Sequence, residues 1–183
     1  MFEYKINKEV SLKLEDYTDS KGLFDLVDSS RSHLSEWLSW VDKIQTENDI
    51  KESIRRDLID FSKQEGMYFV ILYKGEIVGT VGLKYFQWDV KSAEIGYWLA
   101  PDYLGKGIMT EAVKGVMAYG FDYVSLDKIE IWAAEENLKS RSIPERLGFV
   151  QEGMRRNNEL IKGTYHTMMI YGMLKSEWKT VNS

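Results

Sequence analysis

The sequence predicts one mixed α/β domain, in which helices cover a mostly antiparallel sheet. Two observations carry this prediction. Several short segments alternate apolar with polar residues, and the segments between them place apolar residues at helical spacing. The 183 residues show no internal repeat, low-complexity segment or linker. A chain of this length buries a sizeable core, so we expect a single domain over residues 1–183.

The front of the chain predicts a strand followed by helices. Residues 9–16 alternate as in a half-buried strand, and from residue 17 to about residue 38 the apolar residues follow helical spacing. We expect a further helix after Thr46, which is a suitable N-cap, with Gly66 as its stop.

The rest of the chain predicts the remainder of the sheet. Residues 67–86 contain two β-rich runs separated by Lys74-Gly75, which is typical of a hairpin. The other elements follow in chain order: a strand at residues 92–100, a helix from Ile108 to Tyr123, a strand at 128–135, a short helix ending at Gly148, and an antiparallel pair at 149–160 and 164–174.

Composition excludes several classes of protein. The absence of cysteine excludes disulfides, thiolate metal sites and a cysteine nucleophile, and two histidines argue against a zinc site. A net charge of −5 argues against general nucleic-acid binding and suits a cationic small molecule or a basic peptide. The sequence has no apolar run long enough to span a membrane and no signal-peptide core, so we expect a cytoplasmic protein.

A pair of glycines, Gly105 and Gly107, stands between a predicted strand and a predicted helix. Glycines there permit a tight turn with positive φ. They also let a ligand approach the backbone, where the free N–H groups of a helix N-terminus attract an anion. Lys106 adds a charge and Thr110 a hydroxyl. From these residues alone, an anion cradle and a tight turn without a ligand are equally open.

Two motifs stand in the second half of the chain: "AEIGYWLAPDYLGKGIMTEAV" at residues 93–113 and "AAEENLKSRSIPERLGFVQEG" at residues 133–153. With these motifs the chain resembles the GNAT superfamily of N-acetyltransferases, and most of all its ribosomal-protein N-terminal acetyltransferases of the RimJ/RimL type. The resemblance implies the GNAT fold, a mixed, mostly antiparallel, splayed sheet flanked by helices. It places acetyl-coenzyme A in the wedge between two central strands. A dinucleotide-binding oxidoreductase is disfavoured, because the predicted hairpin before Gly105 is antiparallel.

The resemblance also implies which residues bind the cofactor. Backbone amides of the glycine loop would wrap the pyrophosphate, the end of the preceding strand would pair with the pantetheine arm, and Asn137 would hydrogen-bond that arm. The implied residues are Trp98, Leu99, Leu104, Gly105, Lys106, Gly107, Ile108, Met109, Thr110 and Asn137. Asp102 stands where the family usually has Gln or Arg, and an anion at that position cannot help to hold phosphate.

Acetyl transfer from a thioester to an amine needs a neutral amine, an oriented carbonyl and a proton for the thiolate. Direct attack in a ternary complex is the simplest route without a cysteine, and the resemblance implies the same route. Ser140 matches the family's N-x-x-S motif and is the candidate acid. The alternative is that Asn137 caps a helix and Ser140 faces solvent.

Glu94 is the candidate base, on the same predicted strand face as Gly96 and Trp98. Desolvation on a central strand would raise the pKa of its carboxyl group. The alternative for Glu94 is a structural ion pair with a Lys or Arg of a neighbouring strand. Asp102 is the next candidate for the base.

Two tryptophans are candidates for the acceptor pocket. Trp37 and Trp40 stand at i and i+3, which would place them on one helical face. Trp37 is the better candidate for a pocket wall, and packing in the core is the alternative for both. Thr167 stands where relatives commonly carry an aspartate, which indicates a different acceptor if that aspartate binds the acceptor.

The sequence therefore predicts an acetyl-coenzyme-A-dependent N-acetyltransferase without a metal. The acceptor that the resemblance implies is a protein N-terminal amine, as in ribosomal-protein acetylation. The alternatives are a small amine (a polyamine, amino acid or aminoglycoside) and a non-catalytic acyl-coenzyme A sensor. Two-fold pairing is common in the family the chain resembles, so a homodimer or higher homo-oligomer stays open. The net charge and the lack of a long apolar run predict no nucleic-acid partner and no membrane partner.

Overall fold

An eight-stranded sheet forms the centre of the structure, a computed structural model that describes residues 3–181. The strands are β1 (Tyr4–Lys5), β2 (Val10–Leu14), β3 (Met67–Tyr73), β4 (Glu76–Gln87), β5 (Ser92–Leu99), β6 (Lys128–Ala134), β7 (Val150–Ile161) and β8 (Thr164–Leu174). The helices are α1 (Ser20–Ser29), α2 (Arg31–Leu34), α3 (Glu47–Ser62), α4 (Ile108–Ala118), α5 (Leu138–Leu147) and α6 (Lys175–Val181). Across the sheet the strand order is β1-β2-β3-β4-β5-β6-β8-β7.

Two central strands separate at one end. Every neighbouring pair is antiparallel except β5 and β6, whose parallel pairing ends where Ile95 lies beside Ile131. Beyond that point β5 stays paired with β4 as far as Leu99, and β6 stays paired with β8 as far as Ala134. The ends of β5 and β6 therefore diverge and leave a wedge between them, as the predicted splayed sheet requires.

Helices pack on both faces of the sheet. Val70 of β3 packs with α1 and α3, whereas its neighbour Ile71 belongs to the cluster that contains α4, because successive side chains of a strand point to opposite faces. Val113 of α4 and Val27 of α1 are both fully buried in these clusters. Within residues 3–181, no helix is long and apolar enough to cross a membrane.

Several local predictions are confirmed. Thr46 caps α3 in a capping box, in which its N–H donates to the Asp49 carboxylate at 2.8 Å and its hydroxyl accepts from the Asp49 N–H at 3.3 Å. Lys74 and Gly75 both have positive φ, 54° and 87°, as a tight two-residue hairpin turn requires. Gly148 ends α5 in the left-handed conformation with φ of 82°.

The helical spacing over residues 17–38 does not correspond to a single helix. The structure divides this segment into a 3₁₀ turn, α1, the short α2 and further turns, because Ser30 adopts φ −105° and ψ 7° between the two helices. α3 ends at Ser62 rather than at Gly66, and the helix expected to reach Tyr123 finishes as a π-helical turn after Ala118. The strand β1 and the helix α6 were not predicted, because both are too short to show a period.

Candidate active site

The glycine pair lies in the loop that leads from β5 into α4. Gly105 and Gly107 have φ of 74° and 75°, in the left-handed region that glycine adopts without strain. Gly107 is the N-cap, and its carbonyl accepts the first hydrogen bond of the helix from the Glu111 N–H at 3.1 Å. The amides of residues 108–110 therefore precede the helical ladder and lie at the positive end of the helix dipole.

The space around this loop is open. A Cβ atom built on Gly105 or Gly107 would meet no other atom within 4 Å. Lys106 is exposed between them, and its Nζ lies 5.1 Å from the centre of the Tyr103 ring. The positive φ values satisfy the requirement of a tight turn, and the open space leaves room for a ligand to approach the backbone.

The side chains of the first turn of α4 are largely buried. Ile108 lies in the core and offers a ligand only its backbone amide, and Met109 is buried as well. The Thr110 hydroxyl accepts a hydrogen bond from Arg146 Nη1 at 2.8 Å. Arg146 thus brings a guanidinium group from α5 to the start of α4, a positive charge that the sequence analysis did not identify.

A cavity of about 870 Å³ extends from the wedge to the space between the sheet and helices α1 to α3. This volume lies within the usual range of small-molecule sites. Of the predicted cofactor residues, Trp98, Leu99, Leu104, Met109 and Asn137 line it, together with Ser140. The others, in the glycine loop and the first turn of α4, lie outside its lining.

Asn137 and Ser140 stand at the N-terminus of α5. Asn137 is the N-cap, and its Oδ1 accepts from the Ser140 N–H at 3.1 Å. The Ser140 hydroxyl donates to the Tyr97 hydroxyl at 3.3 Å, which in turn donates to the Ser140 carbonyl at 2.9 Å. Burial raises the pKa of Tyr97, so its hydroxyl stays protonated at neutral pH. These two hydroxyls link β5 to α5 beside the wedge.

Glu94 forms an ion pair with Lys84, which the register of β4 and β5 places directly opposite. Lys84 Nζ lies 2.9 Å from Glu94 Oε1, and the Glu94 side chain is 14% exposed. Burial raises the pKa of Glu94, Lys84 opposes this rise, and the carboxylates of Glu130 and Glu159 add to it. The structure thus contains the ion pair that the sequence left as an alternative, while Glu94 still lines the cavity.

Trp37 and Trp40 do not share a helical face, which corrects the sequence-based expectation. Residues 35–40 form turns after α2, so each ring finds its own partner. The Trp37 ring packs edge-on against His166 at a centroid distance of 5.9 Å, and the Trp40 ring packs against Trp98 at 6.0 Å. Both tryptophans line the cavity, so Trp37 is part of its wall.

The cavity is strongly acidic. Two lysines, Lys84 and Lys139, line it together with six carboxyl side chains: Glu15, Glu36, Asp57, Glu94, Glu136 and Glu159. Of these carboxyl groups, Glu94 alone was predicted from the sequence, because the others come from separate elements and follow no motif. The net charge of the chain was the only general indication of an acidic site. Among the described residues, no group of three or more His, Cys, Asp or Glu side chains could hold a metal ion.

The splayed sheet and the amide-lined loop at the start of α4 are the features of a GNAT acetyltransferase. Residues 12–150 match the family described as "Acetyltransferase (GNAT) domain", and the chain belongs to that family. The prediction of an N-acetyltransferase is therefore confirmed.

Individual relatives are also N-acetyltransferases. The chain is 33% identical over 183 residues to "Putative ribosomal N-acetyltransferase YdaF" of Bacillus subtilis (strain 168), covering 98% of each chain. It is 23% identical to the "Ribosomal-protein-serine acetyltransferase" of Escherichia coli (strain K12), covering 93% of this chain and 95% of that protein. Over 97 residues it is 36% identical to the "Spermidine N(1)-acetyltransferase" of Escherichia coli (strain K12), covering 53% of this chain and 52% of that protein. The resemblance to the RimJ/RimL type is confirmed.

Solved structures confirm the fold. A crystal structure of a probable acetyltransferase superposes with a TM-score of 0.92 at 31% identity, covering 97% of this chain and 99% of that one. The microcin C7 self-immunity acetyltransferase MccE, solved with acetyl-coenzyme A and AMP, superposes with a TM-score of 0.87 at 25% identity, covering 93% and 94%.

Proposed function

We propose that the protein transfers an acetyl group directly from acetyl-coenzyme A to the N-terminal amine of a protein, as in ribosomal-protein acetylation. One observation carries this proposal: a single cavity contains both the wedge and an acidic chamber, the part between the sheet and helices α1 to α3 that the carboxyl side chains line. Donor and acceptor can therefore meet beside β5. The absence of cysteine supports direct transfer, since the chain has no thiol to carry the acetyl group. The relatives named for ribosomal acetylation support a protein N-terminus as the acceptor.

Acetyl-coenzyme A is the donor, and the residues around the wedge fit it. The free amides of α4, the open space at Gly105 and Gly107, and the nearby Arg146 guanidinium suit an anionic pyrophosphate. The divergent end of β5 at Trp98 and Leu99 suits a pantetheine arm that pairs like an added strand. Asn137 uses its Oδ1 as a cap, which leaves its side-chain NH₂ to donate to that arm. When bound, the cofactor supplies an activated acetyl group and a thiolate that needs a proton.

Ser140 relays the proton in this scheme: its hydroxyl gives a proton to the departing thiolate and regains one from the acceptor nitrogen, which loses it as the amide forms. Ser140 lines the cavity at the start of α5, and the Asn137 cap and the Tyr97 hydroxyl fix its position. Tyr97 acts as a positioning residue, because its own hydroxyl is already donated to the Ser140 carbonyl. Rotation of the Ser140 hydroxyl away from Tyr97 would direct its proton into the wedge.

Glu94 accepts the proton of the acceptor ammonium. Glu94 lies two residues before Gly96, where the wedge begins, which is roughly 7 Å along the strand. In this scheme a water molecule therefore carries the proton from the acceptor ammonium to the Glu94 carboxylate. Lys84 favours the ionised form of Glu94, and burial keeps its pKa above the ordinary value. Glu159 is a second carboxylate of the same chamber, and its Oε1 accepts from the Ser39 hydroxyl at 3.3 Å.

The test is to incubate the protein with acetyl-coenzyme A and purified ribosomal proteins, and to follow intact masses. The proposal predicts that at least one protein gains a single acetyl group on its α-amine, and that the same protein with a blocked N-terminus gains none. Turnover of a polyamine, amino acid or aminoglycoside without any protein acetylation would instead favour a small-amine acetyltransferase. Binding of acetyl-coenzyme A without acetylation of any amine would favour the sensor.

A further inference from the structure

A pair of carboxyl groups lies on a part of the cavity wall away from Ser140 and Glu94, the residues proposed to act in acetyl transfer. Glu15 follows β2, Asp57 lies on α3, and both line the cavity. Glu15 is only 5% exposed, and its backbone N–H donates to the Tyr68 carbonyl at 3.2 Å, which fixes it beside β3. Its Oε1 is buried without a hydrogen-bond partner. A buried carboxyl oxygen without a donor is unfavourable, which indicates a group that comes from outside the chain.

Two cations among the described residues act on this pair, Lys13 on Glu15 and Arg56 on Asp57, and neither forms an ion pair with it. Lys13, the nearby lysine, lies 2.8 Å from Asp16 and 2.7 Å from Asp19 and is engaged by them. Burial and the neighbouring Asp57 raise the pKa of Glu15 to about 9, and burial also raises the pKa of Asp57. Because the Glu15 and Asp57 side chains hydrogen-bond each other, the raised pKa values of both favour a proton shared between the two carboxyl groups. The other titratable groups that act on the pair or lie against it are Lys13, Asp19, Arg56, Asp60 and Tyr68.

Two glycines let the cavity extend across the sheet to this pair. Gly82 of β4 lies in register between Tyr68 of β3 and Gly96 of β5. A Cβ on Gly82 would lie 2.7 Å from Tyr68 Cδ1, and a Cβ on Gly96 would lie 3.1 Å from Lys84 Cε. Tyr68 and Lys84 therefore lie flat against bare backbone, which keeps the space above them open. Three strand spacings place Glu15 roughly 14 Å from the start of the wedge at Gly96.

We propose that Glu15 and Asp57 form a subsite for a second ammonium group of the acetyl acceptor, roughly 14 Å from the start of the wedge at Gly96. The proposal rests on the proposed function, because that function places the transfer at the wedge. An ammonium has three N–H donors, enough for the free Oε1 of Glu15 and for the Asp57 carboxylate. Its charge replaces the shared proton, which leaves to solvent. A lysine side chain near a protein N-terminus and the far end of a polyamine both offer this ammonium.

Two matched pairs of acceptors test the subsite and distinguish these sources. One pair is a peptide with a free N-terminus that carries lysine or norleucine at the same later position; the other is a linear diamine and the monoamine of equal chain length. The charged member of one pair should have the lower KM, by about tenfold to a hundredfold, the value of one charge-assisted hydrogen bond. Discrimination within the peptide pair identifies a protein acceptor, and discrimination within the amine pair identifies a polyamine.

Glu15→Gln should abolish this discrimination and leave kcat for the uncharged member unchanged. Glu36→Gln is the control, because Glu36 also lines the cavity but is exposed, and it should keep the discrimination. A thermal unfolding curve verifies that each variant is folded. Asp57→Asn provides a second variant with the same expected loss.

Calorimetry gives a readout that does not depend on acetylation. Titration of the coenzyme A complex with the diamine at pH 7, in two buffers of different ionisation enthalpy, should show release of close to one proton per diamine bound. Glu15→Gln should release none, and Glu36→Gln should behave like the parent. Equal KM values within both acceptor pairs, together with no proton release, would overturn the subsite. If no amine is acetylated at all, the proposed function fails, and the calorimetry then decides the subsite alone.

Discussion

Replacing Gly107 with alanine separates the two roles of the glycine pair, which are to form a tight turn with positive φ and to let a ligand approach the backbone amides. Gly107 has φ of 75°, and its Cβ would meet no protein atom within 4 Å, so the only cost to the fold is the backbone conformation. An L-residue in the left-handed region costs about 1–2 kcal/mol. For a domain of this size, the melting temperature should fall by roughly 2–8 °C.

The effect of Gly107→Ala on the cofactor should be larger than its effect on the fold. The added Cβ occupies the open space through which the pyrophosphate approaches the amides of residues 108–110. Loss of one charge-assisted hydrogen bond, about 1.5–3 kcal/mol, weakens coenzyme A binding by about tenfold to a hundredfold. Isothermal titration with coenzyme A measures this Kd.

Gly163→Ala is the matched control. Gly163 has φ of 79° and an equally open Cβ position. It lies in the turn between β7 and β8, not beside α4. It should lose similar stability and keep the parental Kd for coenzyme A. Equal Kd values for Gly107→Ala and Gly163→Ala would refute the cradle and leave the tight turn as the sole reason for Gly107.

Three further substitutions test the proton pathway and the buried carboxyl pair. Ser140→Ala should lower kcat by about a hundredfold, since water replaces a hydroxyl in part, with an unchanged Kd for coenzyme A; an unchanged kcat would remove Ser140 as the acid. Glu94→Gln should lower kcat/KM most at low pH, where the acceptor amine is protonated. A loss of kcat/KM that is constant with pH would show that Glu94 has only a structural role, in its ion pair with Lys84. The pKa of Glu15 rises on folding from 4.5 to about 9, so its contribution to the free energy of unfolding is complete below pH 4.5 and is lost as the pH rises to about 9. Denaturant unfolding of Glu15→Gln should show a flatter pH dependence over this window, and curves parallel to the parent would contradict the raised pKa.

Alternation and turn chemistry were sufficient to predict most of the sheet. The strands β2 to β8 follow local patterns, and the caps at Thr46 and Gly148 depend on residues close in sequence. The break at Ser30 could not be predicted, because the apolar residues on both sides pack into one cluster and keep helical spacing across it. Local periodicity indicates which face of a segment is buried, but it does not indicate whether the helical conformation continues without a break.

The site was predictable where a motif is contiguous in sequence. Asn137 and Ser140 lie in one such motif, and their contact is a helix cap. Lys84 meets Glu94 only because of the register of β4 and β5, and Arg146 meets Thr110 only because α5 packs beside α4. The acidic chamber combines residues of distant elements, so its existence depends on the complete fold.

Initial-rate kinetics test the central claim, that donor and acceptor meet in one cavity and react directly. The rate is measured while acetyl-coenzyme A and an N-terminal serine peptide are both varied. Direct transfer predicts double-reciprocal lines that intersect, because both substrates must be bound before any product leaves. Parallel lines, together with an acetylated form of the protein isolated in the absence of peptide, would contradict the account.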